Sequence, residues 1–394
     1  MSVLGIVVEY NPFHNGHLYH LKKAKEITGA KYTVAVMSGN FTQRGTPAIL
    51  DKYKRTMIAL KNGVDMVVEL PVLYATSSAN YFARGAVSIL KALGVDHLCF
   101  GTETGDLSLL KKASEETQDF RKHIKKGLNL GMSYPSAYQH ALTQTGNPIN
   151  LSPNNILAIE YLRALRETEA SIMPHAIVRN QNLKSATEIT KSVTRATEKI
   201  AKKRELSQIR SMLKGVPTDT FRSIEVSIKQ RKNINLNNFS TILQYKLLTH
   251  ANNLDQFLDV DEGLENRLLK SASTKHYIDD IISDIKTKRY TKTKLQRMIT
   301  HILLDIKKTD LINYPTPPYV RILGFRHGSQ ELLKDIKDLP LITNIKNAPY
   351  ILGRSMYVLE KDMFATDMYN LASGGAINHA TEKEIEYRIP LTII

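Results

Sequence analysis

The chain has 394 residues, 42% of them hydrophobic, and because single cores rarely grow beyond about 250 residues this length predicts two domains. Its one cysteine, Cys99, excludes a disulfide framework and a cysteine-based zinc site, and the apolar run around it predicts a buried strand residue. The formal net charge of +16 favours a polyanionic partner, most often a nucleic acid, although a solvated basic surface is the alternative.

The amino-terminal residues predict a strand rather than a targeting signal. Residues 1–8 have no basic segment and no small-residue cleavage site, and their apolar run is too short to cross a membrane. No other apolar stretch approaches the length of about 18 residues that a membrane helix needs. We therefore expect a cytoplasmic protein that does not enter a membrane, and the sequence shows no sign of an obligate protein partner.

The first hundred residues alternate between short β-branched runs and segments with helical periodicity. This alternation predicts a parallel, Rossmann-like α/β sheet with helices on both faces. Ligands bind such sheets beyond the carboxyl ends of the strands, where three polar, glycine-bearing loops are expected at residues 9–17, 38–45 and 101–106. The predicted strands are residues 4–8, 32–37, 66–70 and 97–100, and the predicted helices are residues 17–27, 52–61 and 81–93.

The remainder of the chain is predicted to be mostly helical, with a helix starting near Ser152 and short strands at residues 171–179, 319–325 and 341–345. Residues 191–240 hold 12 Lys and Arg against 4 Asp and Glu, and residues 286–308 hold 8 against 1. We therefore predict a catalytic α/β domain at residues 1–200 and a mainly helical, basic domain at residues 201–394.

The segment His14-Asn15-Gly16-His17 is the candidate for chemistry, because it follows the first strand and opens the first helix. A helix amino terminus offers free N–H groups and a positive dipole end, and Gly16 allows a phosphate to approach the backbone. His14 and His17 are expected on one face, where their imidazoles can donate hydrogen bonds to phosphate oxygens. A metal site formed by both histidines and His20 is the alternative, and it lacks a carboxylate in register.

Several sequence blocks together resemble a known family. The run Val7-Val8-Glu9-Tyr10-Asn11-Pro12-Phe13-His14-Asn15-Gly16-His17 resembles the nucleotidyltransferase superfamily, which includes coenzyme adenylyltransferases and class I aminoacyl-tRNA synthetases. More narrowly, the chain resembles the tRNA(Met) cytidine acetate ligase family over nearly its whole length. The further blocks are Met37-Ser38-Gly39-Asn40-Phe41, Gln43-Arg44-Gly45, Glu69-Leu70-Pro71, Ser152-Pro153-Asn154-Asn155-Ile156-Leu157 and Lys286-Thr287-Lys288-Arg289-Tyr290-Thr291.

This resemblance implies an ATP-dependent ligase that forms acetyl-adenylate from acetate and acetylates N4 of the wobble cytidine of elongator tRNA(Met). Mg²⁺ is expected to accompany ATP, without a dedicated protein metal site. A helix N-cap is the alternative role for Asn154, and an exposed salt bridge is the alternative for Arg179. The ATP-binding residues that the resemblance implies are Val7, Val8, Glu9, Tyr10, Asn11, Pro12, Phe13, His14, Asn15, Gly16, His17, Leu18, Tyr19, His20, Gly101, Asn154 and Arg179.

One position departs from the superfamily pattern. A later helix usually begins with a Ser-x-Thr-x-x-Arg-like motif whose basic residue grips the triphosphate, and this chain has Thr190 in place of that arginine. Lys191 or Arg195 could supply the charge, although a neighbouring helical position points about 100° away. We therefore expect ATP turnover with altered phosphate contacts.

The basic half predicts the tRNA contacts. Residues 286–297 lead into an amphipathic helix, so their charges can bind phosphates while its apolar side packs in the core. Tyr290 could stack on a base. A second basic cluster lies at Lys202-Lys203-Arg204. The predicted tRNA-binding residues are Lys286, Lys288, Arg289, Lys292 and Arg297.

Two other functions stay open at this point. An adenylyltransferase that acts on a small phosphorylated metabolite would use the same loop, but it needs no polyanion-binding surface. A non-catalytic RNA-binding protein with a degenerate nucleotide pocket is favoured only by Thr190.

Overall fold

The computed structural model describes residues 2–180, 182–201, 213–230, 234–334, 338–374 and 385–394. Within them an eight-stranded sheet has the order β5-β4-β1-β2-β3-β6-β7, and β8 pairs with β6. The strands are β1 Val3–Val8, β2 Tyr32–Ser38, β3 Met66–Leu70, β4 His97–Thr102, β5 Met173–Val178, β6 Val320–Phe325, β7 Leu341–Ile342 and β8 Thr392–Ile393.

Helices cover the sheet and form most of the second half. The first nine are α1 Asn15–Thr28, α2 Lys52–Lys61, α3 Val72–Ala75, α4 Ala79–Ala92, α5 Leu107–Ser114, α6 Gln118–Asn129, α7 Tyr134–Gln144, α8 Pro153–Glu167 and α9 Ala186–Ala201. The later ones are Thr218–Lys229, Ser240–His250, Leu264–Ala272, Ile278–Ile285, Lys292–Leu303, Lys308–Asn313, Ala348–Leu352, Met356–Ala372 and Ile385–Arg388.

The first five strands are parallel, as the alternation of strands and helices predicted. β2 and β3 are buried at every position, which explains their unbroken apolar character, because helices pack on both faces of the sheet. The carboxyl ends of β1, β2 and β4 therefore meet at one edge, and the three polar loops follow them there. The α/β fold predicted from the sequence is confirmed.

The late strands extend this same sheet. β6 pairs antiparallel with β3, so that Met66 lies opposite Phe325, and β7 and β8 pair with β6. The sheet is consequently mixed at this side and includes residues well beyond position 200. The division into domains at residue 200 stays a prediction.

Two large apolar clusters form the core, one on each side of the sheet. Cys99 lies in the middle of β4 and is buried, and burial raises the pKa of its thiol to about 12. The prediction of a buried strand cysteine is therefore confirmed. A thiol with such a high pKa is not a nucleophile near neutral pH. Among the described residues, no helix is long and apolar enough to span a membrane.

Candidate active site

Two histidines form the start of α1. His14 is the N-cap residue with an extended backbone, and His17 is the third residue of the helix. The His17 N–H donates to His14 Nδ1 and the His14 N–H donates to His17 Nδ1, both at 3.3 Å. The two imidazoles stack with centroids 3.6 Å apart, and Tyr10 packs against the edge of His17. The structure thus brings both predicted histidines together, although His14 lies just outside the helix.

This reciprocal cap fixes the tautomer of both rings. Each Nδ1 accepts a backbone hydrogen bond, so each neutral imidazole carries its proton on Nε2. Burial and the nearby Arg179 charge lower the pKa of His14 to about 4, and burial and the charge of His14 lower that of His17 well below its usual value. Near neutral pH both rings are therefore uncharged Nε2–H donors, which suits them to bind phosphate oxygens.

Gly16 is required by this arrangement. A Cβ at that position would lie 2.8 Å from His14 Cε1 and 2.9 Å from its Nδ1. Any larger residue would displace the His14 ring and break the cap. The glycine therefore has a packing role in addition to the phosphate access that the sequence predicted.

Arg55 joins the loops after β1 and β2. Its buried guanidinium donates to the carbonyl oxygens of Glu9 at 2.7 Å, Ser38 at 3.0 Å and Gly39. The Gln43 N–H also donates to the Glu9 carboxylate at 2.6 Å. Sequence reasoning missed Arg55, because α2 shows it only as one more basic helix residue and its acceptors are backbone atoms.

Glu103, on the loop after β4, contacts two predicted site residues and the helix N-cap residue Ser152. Its carboxylate accepts from the Asn154 amide at 2.7 Å and from the Ser152 hydroxyl, and it lies 3.5 Å from Arg179 Nη1. Ser152 is the N-cap of α8, so Asn154 does not have the alternative capping role. The alternative for Arg179, a partly exposed salt bridge, is present and leaves its side chain 43% exposed. Glu103 was not predicted as a site residue.

The remaining predicted nucleotide contacts lie beside this cluster. A Cβ on Gly101 would be 3.7 Å from Arg179 Cγ and 3.9 Å from His20 Cδ2, so these three residues are neighbours. His20 Nε2 is buried and has no hydrogen-bond partner among the described residues. Burial lowers the pKa of His20 to about 4. This edge of the sheet thus holds neutral imidazoles, an amide and a guanidinium.

The predicted metal alternative has no support in the described part of the chain. No group of three or more His, Cys, Asp or Glu side chains there is arranged to hold a metal ion. Thr190 lies on α9, and Lys191 and Arg195 on the same helix are exposed. Lys202, Lys203 and Arg204 lie outside the described residues.

The basic segment, residues 286–297, contains both exposed and inward-facing side chains. Lys286, Lys288, Arg289 and Lys292 are exposed. Arg297 differs, because its Nε lies 2.9 Å from the Asp259 carboxylate and only 12% of its side chain is exposed. Tyr290 is buried, beneath the Arg289 and Lys294 cations.

Comparison with known proteins identifies the family. Residues 1–384 match the family described as HIGH Nucleotidyl Transferase. The tRNA(Met) cytidine acetate ligase of Thermoanaerobacter sp. (strain X514) is 42% identical in a 386-residue alignment that covers 94% of this chain and 96% of the relative. That of Clostridium perfringens (strain ATCC 13124) is 37% identical, over 94% of this chain and 95% of its own length.

A solved structure agrees with this result. The crystal structure of Thermotoga maritima TmcAL bound with alpha-thio ATP superposes with a TM-score of 0.89 and is 31% identical, with 100% of both chains covered. Its apo form gives a TM-score of 0.88. The resemblance stated from the sequence is confirmed. The chain belongs to the HIGH nucleotidyltransferase family and, within it, to the tRNA(Met) cytidine acetate ligases.

Proposed function

We propose that this chain joins acetate to N4 of the wobble cytidine of elongator tRNA(Met), at the expense of ATP. An acetate oxygen attacks the α-phosphorus, the bond to the β-phosphate oxygen breaks, and pyrophosphate leaves acetyl-adenylate behind. The cytidine amine then attacks the acetyl carbonyl carbon, AMP leaves, and the amine loses a proton. The observation that carries the proposal is the pair of neutral Nε2–H donors on His14 and His17 at the carboxyl edge of the sheet.

The residues around these histidines suit an ATP site. The Thermotoga maritima relative is bound with alpha-thio ATP. In this chain the proposed ATP site includes the loop of Val7 to His20, which holds both histidines. Glu103 is the common partner of Asn154 and Arg179, and Gly101 lies next to Arg179, so these residues complete the proposed site beside that loop. Mg²⁺ would enter bound to the ATP phosphates, since the described residues offer no carboxylate cluster for it. A cytoplasmic location, where tRNA and ATP are available, belongs to this proposal.

The direct test is incubation with ATP, acetate and a tRNA(Met) transcript, followed by nucleoside mass analysis. N4-acetylcytidine should form only when all three are present. Pyrophosphate–ATP exchange, measured with and without acetate, separates the two half-reactions. Exchange that does not need acetate would contradict acetate activation and favour an adenylyltransferase of small metabolites.

The Thr190 departure gives a prediction about the triphosphate. If Lys191 or Arg195 replaces the missing arginine, the double change Lys191→Gln and Arg195→Gln should raise the KM for ATP by about tenfold, the effect of losing one charged hydrogen bond. Acetate-dependent exchange at varied ATP measures it, with Arg222→Gln on the helix Thr218–Lys229 as the control. Unchanged pyrophosphate release in the double variant would contradict the substitution.

The basic segment gives a prediction about tRNA. Replacing Lys286, Lys288, Arg289 and Lys292 by glutamine should weaken tRNA binding and lower the slope of log Kd against log salt by about 3 to 4, close to one for each phosphate that is no longer neutralised. Arg297 contacts Asp259, and Arg297→Gln should reduce stability more than it changes the salt slope. Filter binding between low and moderate salt measures the slopes. A flat salt response of the wild-type chain would contradict the electrostatic surface.

A further inference from the structure

The turn after β2 presents one exposed side chain. The Gly45 N–H donates to the Thr42 carbonyl oxygen at 2.9 Å and closes the turn, and Gly45 has a left-handed φ of 67°. Phe41, Thr42 and Gly45 are buried, and across residues 38–50 only Arg44 is exposed. The turn thus presents a single exposed guanidinium, and the residues around it are buried or partly buried.

Contacts on two sides fix the position of this turn. On one side Gln43 donates its backbone N–H to Glu9 at 2.6 Å, and so attaches the turn to the proposed ATP loop. On the other side the Thr300 hydroxyl donates to the Gly45 carbonyl oxygen at 2.9 Å. A Cβ on Gly45 would lie 2.4 Å from the backbone nitrogen of Arg297, so only glycine allows the turn to pack on the helix Lys292–Leu303. The turn therefore lies between the ATP loop and the basic segment.

The Arg44 guanidinium is available for a ligand. In the part of the chain that the structure describes, its side chain makes no ion pair and no hydrogen bond. The buried Glu9 carboxylate is close enough for the Arg44 charge to act on it. Burial raises the pKa of Glu9, while the Gln43 N–H and the Arg44 charge act in the opposite direction. Arg44 thus lies beside the proposed site and is exposed to solvent.

We propose that Arg44 binds a backbone phosphate of the tRNA next to the target cytidine, and thereby holds that nucleotide over the acetyl-adenylate. The inference rests on the proposed function. A guanidinium binds phosphate through two parallel hydrogen bonds, which fixes orientation as well as position. The turn contacts the ATP loop through Glu9 and the helix Lys292–Leu303 through Thr300, so an RNA that binds both the basic segment and the ATP site would pass close to Arg44. The ATP polyphosphate offers the same chemistry, and the experiment distinguishes these two sources.

The test compares Arg44→Gln and Arg44→Lys with the wild-type full-length chain. Arg44→Gln should raise the Kd and the KM for a tRNA(Met) transcript by about tenfold and lower the salt slope by about one. Acetate-dependent pyrophosphate–ATP exchange should stay within about twofold of the wild type, since that half-reaction needs no RNA. The Kd of Arg44→Lys for the tRNA transcript should lie between those of the wild type and Arg44→Gln, because lysine keeps the charge but lacks the planar guanidinium.

Arg326→Gln is the matched control. Arg326 is also exposed, but it follows β6, which runs antiparallel to β3, so it lies at the opposite edge of the sheet. The Arg326→Gln variant should therefore bind tRNA with the same Kd as the wild type. If Arg44→Gln lost pyrophosphate–ATP exchange and tRNA acetylation equally, Arg44 would bind the ATP polyphosphate and the proposal would be overturned. An unchanged Kd for tRNA in Arg44→Gln would also overturn it. Wild-type chain that binds tRNA but forms no acetylcytidine would contradict the proposed function, while the Kd comparison still decides the role of Arg44.

Discussion

His17→Ala is expected to reduce acetate-dependent pyrophosphate–ATP exchange by about 10² to 10³-fold, the cost of removing one preorganised donor from a developing negative charge. The substitution removes the His17 Nε2–H donor. It also removes the Nδ1 acceptor of the His14 backbone N–H. In addition, the His14 ring loses the imidazole that stacks on it with a centroid distance of 3.6 Å. Because both imidazoles act as one unit, His14→Ala should cost a similar factor, and the double variant should lose little more.

Two comparisons separate this effect from misfolding. His276→Ala changes an exposed histidine outside the site and should leave exchange unchanged. Circular dichroism and the thermal midpoint of His17→Ala should stay close to the wild type. A tenfold loss or less in a folded His17→Ala variant would show that the histidines are not the main stabilisers of the leaving pyrophosphate.

The pH dependence of the same reaction follows from the lowered pKa values. In the free enzyme the pKa of His14 is about 4, so the acid limb of kcat/KM for ATP should lie near pH 4, instead of near the ordinary histidine value of 6.5. The same shift affects stability. The unfolded chain binds protons at these histidines below about pH 6.5, while the folded chain stays neutral until near pH 4, so their contribution to stability is lost as the pH falls between these values.

Sequence reasoning found the elements whose signal is local. β1 to β5 are short apolar runs, and the loop of His14 to His17 follows the first of them directly. Asn154 and Arg179 came only from the resemblance, because only the fold brings them together at Glu103. Glu103 and Arg55 were missed for a related reason, since their partners lie on other elements or are backbone carbonyls. Charge pattern alone could not separate Arg297, paired with Asp259, from the exposed cations before it.

A buried ionic network beneath the loop after β2 was equally invisible in the sequence. Lys52 Nζ lies 2.7 Å from Glu69 and 2.5 Å from Glu386, and Arg321 lies 2.8 Å and 2.6 Å from the same two carboxylates. The four charges balance, and all four side chains are almost fully buried. They come from α2, β3, β6 and the last helix, so only the folded chain brings them together.

This network supports the site through Asn40. The Asn40 side chain accepts from the Lys52 N–H at 2.8 Å and donates to Thr366 at 3.2 Å. A Cβ on Gly39 would lie 2.6 Å from Glu69, so the loop packs directly on the carboxylate. Loss of the network should therefore disturb the turn that carries Gln43 and Arg44, as well as lower the stability of the whole fold.

Lys52→Met is accordingly expected to lower the free energy of unfolding by about 3 to 5 kcal/mol, because it leaves two buried carboxylates with one cation. Urea unfolding measures the loss. Lys54→Met is the matched control, since Lys54 is 43% exposed beside Asp51 and its loss should cost about 1 kcal/mol or less. Adding Glu386→Gln to Lys52→Met restores the charge balance with Glu69 and Arg321, and should recover part of the loss as a coupling energy.

The pH dependence gives an independent check on this network. Burial alone would raise the pKa of Glu386, but the charges of Arg321 and Lys52 outweigh burial and lower it to about 2. A carboxyl with a depressed pKa stabilises the fold above its unfolded value near 4.5, and this stabilisation is lost as the pH falls toward 2. In Glu386→Gln that part of the acid sensitivity should disappear. Two results would contradict a stabilising network. One is equal acid sensitivity in Glu386→Gln and the wild type, and the other is a loss of unfolding free energy in Lys52→Met no larger than in Lys54→Met. Either would mean that desolvation already cancels the attraction between these charges.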